Sequence, residues 1–225
     1  MGDTKERITT QGGLYMITAE MIHQLRLELW NLTYTQWKTQ ILFTVQWWSL
    51  VVLVAISYAI WWVIVDKQRL SQILLFGSFV AVGRIVMDII ASNIGLWSYN
   101  IRETPFIPTP FLHDFTLTPL ALMAVHQYCH SWKKFLIWTT ITVGIISFVF
   151  FPLLTIFHFL TLYKWNLIYS FVLVMGIAFL ARFVLLGILK IEQNYKHAKD
   201  LFKQENFKLA PAMKPLDKEY ERQDE

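Results

Sequence analysis

The sequence predicts an all-α integral membrane protein, a helical bundle of about five transmembrane helices with an N-terminal amphipathic helix. Two observations carry that prediction. Of 225 residues, 55% are hydrophobic and only 16% are charged, against about a quarter charged in a typical soluble domain. The charges also gather toward the two ends of the chain, so three regions follow: a tail with an amphipathic helix over 1–42, a membrane domain over 43–189, and a cytoplasmic helical extension with a mobile tail over 190–225.

From the N-terminus, MGDTKERITTQGGLYM contains no apolar core followed by a small-residue cleavage site. A removable signal peptide is not expected, and insertion falls to an internal segment. Met1-Gly2 opens like a myristoylation signal, but Glu6 stands where that signal needs Ser or Thr. Over 18–42, Met21, Ile22, Leu25, Leu29 and Leu32 recur at helical spacing among Gln24, Glu28 and Asn31. Such a helix lies either on the membrane surface or against the rest of the protein, and Leu27 and Trp30 broaden its apolar face.

A bilayer-crossing helix needs about 20 mostly apolar residues. Residues 43–65 meet this most clearly, with Trp47 and Trp48 near one end and Trp61 and Trp62 near the other, suited to the aromatic belts of the two interfaces. Further spans are predicted over 71–92, 112–130, 135–157 and 167–189. The segment over 112–130 is the most polar, carrying Thr116, Thr118, Pro119, His126, Gln127 and His130, so it crosses only if its neighbours shield it. Beyond Lys190, Ile191, Tyr195, Ala198 and Phe202 share a helix face, and Pro211 and Pro215 close the pattern before an acidic, aperiodic end.

Five spans sort the loops into two groups. Lys67, Arg69, Lys133, Lys134 and eight basic residues from Lys190 onward make twelve on one side, against six on the other. The positive-inside rule then predicts a cell-membrane protein with its N-terminus outside and its C-terminus in the cytoplasm. The basic side implies contact with anionic lipid, and an oligomer or a partner membrane protein is a further expectation. In the C-terminal tail the eight basic residues are matched by eight acids, which gives no support for nucleic-acid binding. A single cysteine, Cys129, rules out an intramolecular disulfide.

Ionisable groups inside spans are costly and therefore candidate functional residues. Arg84 and Asp88, four apart on one helix face, can neutralise each other. Arg182 lies close enough to the cytoplasmic end to snorkel there. Asp114 opens the polar span behind the proline-rich stretch GLWSYNIRETPFIPTPFLHDFTLTP, which is expected to form a stiff outer cap. In it Thr104, Ile107 and Thr109, each preceding a proline, are extended, while Trp97 and Tyr99 sit at the interface. The alternating span directions bring Asp88, His113, Asp114 and His158 to the outer side, as candidate acid–base groups (Asp88, Asp114) and binding groups (Arg84, His113, His158). His126 and His130, in HQYCH, share a helical face and are weak metal candidates lacking the further ligands a site needs. The sequence has no G-x-S-x-G, no H-E-x-x-H and no Walker loop, and it implies no cofactor.

The ordered segments LFTVQWW, VDKQRLSQILLFG, GLWSYN, the P-F-I-P block, HQYCHSWKKFLI and KWNLIYSF, spread over residues 20–190, resemble an uncharacterised family of small multi-pass membrane proteins common in endospore-forming Gram-positive bacteria. The resemblance implies a polytopic bacterial plasma-membrane protein and carries no known reaction. Asp88 and Asp114 match that family's pattern, whereas Phe151-Pro152 stands where relatives often have Glu-Pro, and Val172 where they often have Pro. A looser likeness, through Trp97, Tyr99 and Pro105, is to membrane-embedded lycopene cyclases, whose adjacent glutamates are missing here. Three functions follow: a non-enzymatic accessory or lipid-binding membrane protein, a membrane enzyme acting on an isoprenoid or other lipid through Asp88 and Asp114, or a small transporter.

Overall fold

The computed structural model describes residues 18–106 and 112–209. The expectations for Met1-Gly2 and Glu6, for Ile107 and Thr109, and for the acidic end beyond Pro211 lie outside those residues. The chain forms α1 (Ala19–Gln36), closed by a π turn over Trp37–Ile41, then α2 (Val45–Ile64) and α3 (Leu70–Asn93). Strand β1 (Trp97–Tyr99) follows, then a π turn over Leu112–Leu117 leading into α4 (Thr118–Tyr128). Helix α5 (Trp132–Ile145) runs through a π turn into α6 (Phe151–Ile156), and β2 (Leu160–Leu162) precedes the long α7 (Leu167–Leu209).

Among the described residues, four helices are long and apolar enough to cross a membrane: Val45–Ile64, Lys67–Asn93, Trp132–Ile156 and Leu167–His197. The expected span over 112–130 is a helix too, but a shorter one, a six-residue π turn followed by 11 helical residues. At 1.5 Å per residue that is about 25 Å, short of the ~30 Å hydrocarbon core. Its polar residues are shielded as their chemistry demands, with Thr116, Thr118, His126 and Gln127 all buried.

The core explains this arrangement. Ile73, Phe76 and Val80 of α3 pack with Leu120, Leu122 and Met123 of α4, Phe135 and Val143 of α5, and Val174, Ala178 and Leu185 of α7. Two glycines let the helices approach closely, as small residues do in membrane bundles. A Cβ at Gly77 would run into the Met123 side chain, and one at Gly83 would lie 2.9 Å from Ile177. Helix α2 is peripheral, with Leu50 its one buried residue. None of α1 is buried, and Trp30 stacks on Phe106 of the loop after β1 at 5.6 Å.

Proline accounts for two of the π turns. Pro119 has no N–H for the Phe115 carbonyl, which accepts a hydrogen bond from the Tyr58 hydroxyl at 2.9 Å. Pro152 similarly follows the π turn over Ile146–Phe150, where the helical ladder widens. The two strands are launched by matching helix ends. After α3, Gly95 has φ 73°, and N–H groups of Gly95 and Leu96 donate to the carbonyls of Ser92 and Ala91. After α6, His158 takes φ 59°, and His158 and Phe159 donate to Thr155 and Leu154. Both are Schellman closures, with the left-handed position filled by glycine in one case and histidine in the other. The strands they launch pair antiparallel, Trp97 opposite Leu162 and Tyr99 opposite Leu160.

This two-stranded sheet marks one end of the bundle. The other end holds two basic turns: Gln127 donates to the Ile64 carbonyl and accepts from Asp66 N–H, and Arg69 meets His130 at 3.1 Å. Lys67, Arg69, Lys133 and Lys134 therefore share one end, opposite the sheet.

Candidate functional site

Beneath the two-stranded sheet, four ionisable side chains meet where almost no solvent reaches. Arg84 and Asp88 come from α3, and His113 and Asp114 from the π turn before α4; their exposures are 3%, 0%, 1% and 0%. Glu103 positions that turn, its carboxylate accepting the Leu112 N–H at 3.1 Å, while its carbonyl accepts Trp47 Nε1–H at 3.0 Å. Glu103 thus ties α2 to the turn before α4.

Arg84 is the hub, though not through the self-pairing that its i, i+4 spacing suggests. Its Nη2 lies 3.0 Å from Asp114 Oδ1 and 4.0 Å from Asp88 Oδ1. Arginine's planar fork reaches across to the neighbouring helix because the nearer carboxylate is held elsewhere. Asp88 Oδ1 accepts Trp97 Nε1–H at 3.1 Å and the Tyr99 hydroxyl at 2.8 Å. Trp97 and Tyr99, expected at the interface, are buried donors instead. In a strand, residues two apart face the same side, so once β1 is paired Trp97 and Tyr99 turn both rings toward one carboxylate. Burial pushes the Tyr99 phenol well above its ordinary value of 10.0, which keeps its hydroxyl protonated and donating.

His113 completes the site. Its Nδ1 is 2.9 Å from Arg84 Nη2 and 2.8 Å from Asp114 Oδ1, and its Nε2 is 3.4 Å from Thr118 Oγ1. A guanidinium only donates, so Nδ1 cannot accept from Arg84 and donate to Asp114 at once. One assignment suits both ring nitrogens: Nδ1–H and Arg84 both donate to Asp114 Oδ1, and Nε2 accepts from Thr118. Phe151 packs on the imidazole with ring centroids 4.7 Å apart. Asp88 Oδ2, Asp114 Oδ2 and Arg84 Nε remain buried with no hydrogen-bond partner.

Next to this cluster lies a recess of about 10 Å³, lined by Arg84, Trp97, Phe151, Trp165 and Ser170 among others. That is room for about one water molecule.

The remaining candidates lie apart. His158 is exposed at the closure of α6, where its carbonyl accepts Asn100 Nδ2–H at 3.0 Å, so it does not join the aspartates. His126 and His130 do not share a helical face, because α4 ends at Tyr128. His126 is buried and stacked on Phe76 at 4.4 Å, while His130 is exposed. Among the described residues no group of three or more His, Cys, Asp or Glu is placed to hold a metal. Arg182 does not snorkel: it is 2% exposed and donates to the carbonyls of Cys129 at 2.9 Å and His130 at 2.8 Å. Its guanidinium also lies 4.2 Å from the centre of the Phe135 ring. The carbonyls beyond α4 lack helical partners, and a cation is a favourable one.

Comparison with protein-family models, curated proteins and solved structures returns no match.

Proposed function

We propose that this chain is a non-enzymatic multi-pass plasma-membrane protein of the accessory or lipid-binding kind, in which the Arg84–Asp114–His113–Asp88 cluster is a polar clasp fastening one end of the bundle. The observation that carries this reading is that the two candidate aspartates point at other side chains of the protein rather than at a chamber. Asp88 is engaged by Trp97 and Tyr99, and Asp114 by Arg84 and His113. The recess beside them has room for about one water, far below the ~300–1,000 Å³ of a small-molecule pocket. Enzymatic chemistry on an isoprenoid would need space for a chain of several carbons next to an acid, and transport would need a path.

The surface supports residence in lipid. Helix α2 and the outer faces of the other long helices expose large apolar side chains such as Val45, Val63, Val82, Phe183 and Ile191. Clustering of Lys67, Arg69, Lys133 and Lys134 at the end opposite the sheet supports a cytoplasmic, anionic-lipid-facing assignment for that end, with the sheet and N-terminus outside. A bacterial plasma membrane is the setting the family resemblance implies.

The reading is tested by comparing total lipid extracts from cells with and without the gene, and from cells carrying Asp114→Asn. Unchanged lipid profiles, with a loss of thermal stability in the variant, are expected. An accumulated isoprenoid or lipid precursor, restored by the wild type and not by a variant of normal yield, would establish the enzymatic alternative instead.

A further inference from the structure

We infer that Asp88 is a proton-binding site: a neutral carboxylic acid with its exchangeable proton on Oδ2, while Asp114 alone carries the negative charge that balances Arg84. Two features of the cluster lead there. The first is charge. One guanidinium faces two carboxylates, and His113, caught between Arg84 and Asp114, has a cation 2.9 Å from its Nδ1 that opposes imidazolium formation. With both aspartates ionised the cluster would hold a net negative charge at 0–3% exposure, a costly state in an apolar bundle.

The second feature is the asymmetry of partners, which says where the proton resides. Asp114 Oδ1 receives Arg84 at 3.0 Å and His113 at 2.8 Å, the charge-assisted contacts of an ionised carboxylate. Asp88 receives only the neutral donors Trp97 and Tyr99, both on Oδ1, with Arg84 at 4.0 Å. That is the pattern of a carboxylic acid whose carbonyl oxygen accepts, and its Oδ2 is buried with no partner. The charged and titratable groups facing Asp88 are Arg84 from its own helix, Tyr99 from β1 and Asp114 from the turn before α4. The one-water recess touches Trp97, which donates to Asp88, and Arg84, 4.0 Å from it, and apart from Arg84 its lining has no charged residue.

Infrared spectroscopy of the full chain in lipid nanodiscs tests this, with readouts separate from those that test the non-enzymatic reading. At neutral pH the wild type is expected to show a carboxylic-acid C=O band that shifts in D2O, fades as pH rises and is lost in Asp88→Asn. Tyr99→Phe, which removes one hydrogen bond from the carbonyl oxygen, is expected to move that band to higher frequency without abolishing it. A band that Tyr99→Phe leaves in place would put the proton on Asp114, and the absence of any band at neutral pH would overturn the proposal. A band that disappears when sodium replaces choline in the buffer would also overturn it as stated, because the ligand would then be a monovalent cation.

Discussion

Replacing Asp114 by Asn removes the one charge on which Arg84 and His113 converge while keeping the shape of the side chain. The pair it breaks has an N–O distance of 3.0 Å with side-chain exposures of 4% and 0%. Removing one partner of such a buried pair costs about 3–5 kcal/mol, because the other charge is left uncompensated. Here the loss falls at the lower end, about 3 kcal/mol, since Asp88 lies 4.0 Å from the same Arg84 nitrogen and can release its proton to take over part of the role. At about 2–4 °C per kcal/mol for a chain of this size, the apparent Tm falls by roughly 6–12 °C. The contrast is Asp88→Asn, whose amide oxygen still accepts from Trp97 and Tyr99 and which costs less than about 1 kcal/mol. Melting both variants in the same nanodiscs by circular dichroism checks this. Equal shifts in the two, or a shift below about 2 °C for Asp114→Asn, would refute the assignment of charge to Asp114.

Asp88→Ala, unlike Asp88→Asn, orphans the Trp97 and Tyr99 donors and is expected to lower stability by about 2–4 kcal/mol, read by the same melts. Arg182→Met uncaps the carbonyls of Cys129 and His130, and Cys129, 4% exposed in the intact protein, should then react several-fold faster with a membrane-permeant maleimide. At the left-handed position after α6, His158→Gly should shift stability by less than about 1 kcal/mol, whereas His158→Val should cost about 1–2 kcal/mol. Gly83→Leu drives a side chain into Ile177, 2.9 Å from the Cβ position, and should cost about 1–3 kcal/mol by separating α3 from α7.

Much of the frame is legible in the sequence because span length and apolar runs are local properties. The expected spans over 43–65, 71–92, 135–157 and 167–189 overlap helices that begin or end within a few residues of them. The polarity of 112–130 foretells its shielded place among the other helices, and Asp114 and Asp88 do come to one point, each within 4.0 Å of the same Arg84 nitrogen. What one chain position cannot reveal is which partner wins. Arg84 and Asp88 are neighbours on a helix face, yet Arg84 finds its shorter contact across the bundle, because Trp97 and Tyr99 claim Asp88. Arg182 has a stem long enough to reach solvent at the basic end, but the carbonyls of Cys129 and His130 hold it buried there. The spans' directions put His158 on the same side as the aspartates, but its backbone role in closing α6 places it at the surface. The three-residue strands are too short to leave a periodic signal, so the pairing that carries Trp97 and Tyr99 to the site was not foreseeable from the pattern alone.

The central claim is that Arg84 and Asp114 act as one unit holding α3 to the turn before α4. A double-mutant cycle with Arg84→Gln and Asp114→Asn, measured as unfolding free energies in one lipid system, tests it directly. Coupling of about 2 kcal/mol or more is expected, toward the upper part of the range for contacting residues. Effects that add within about 0.5 kcal/mol would contradict the clasp.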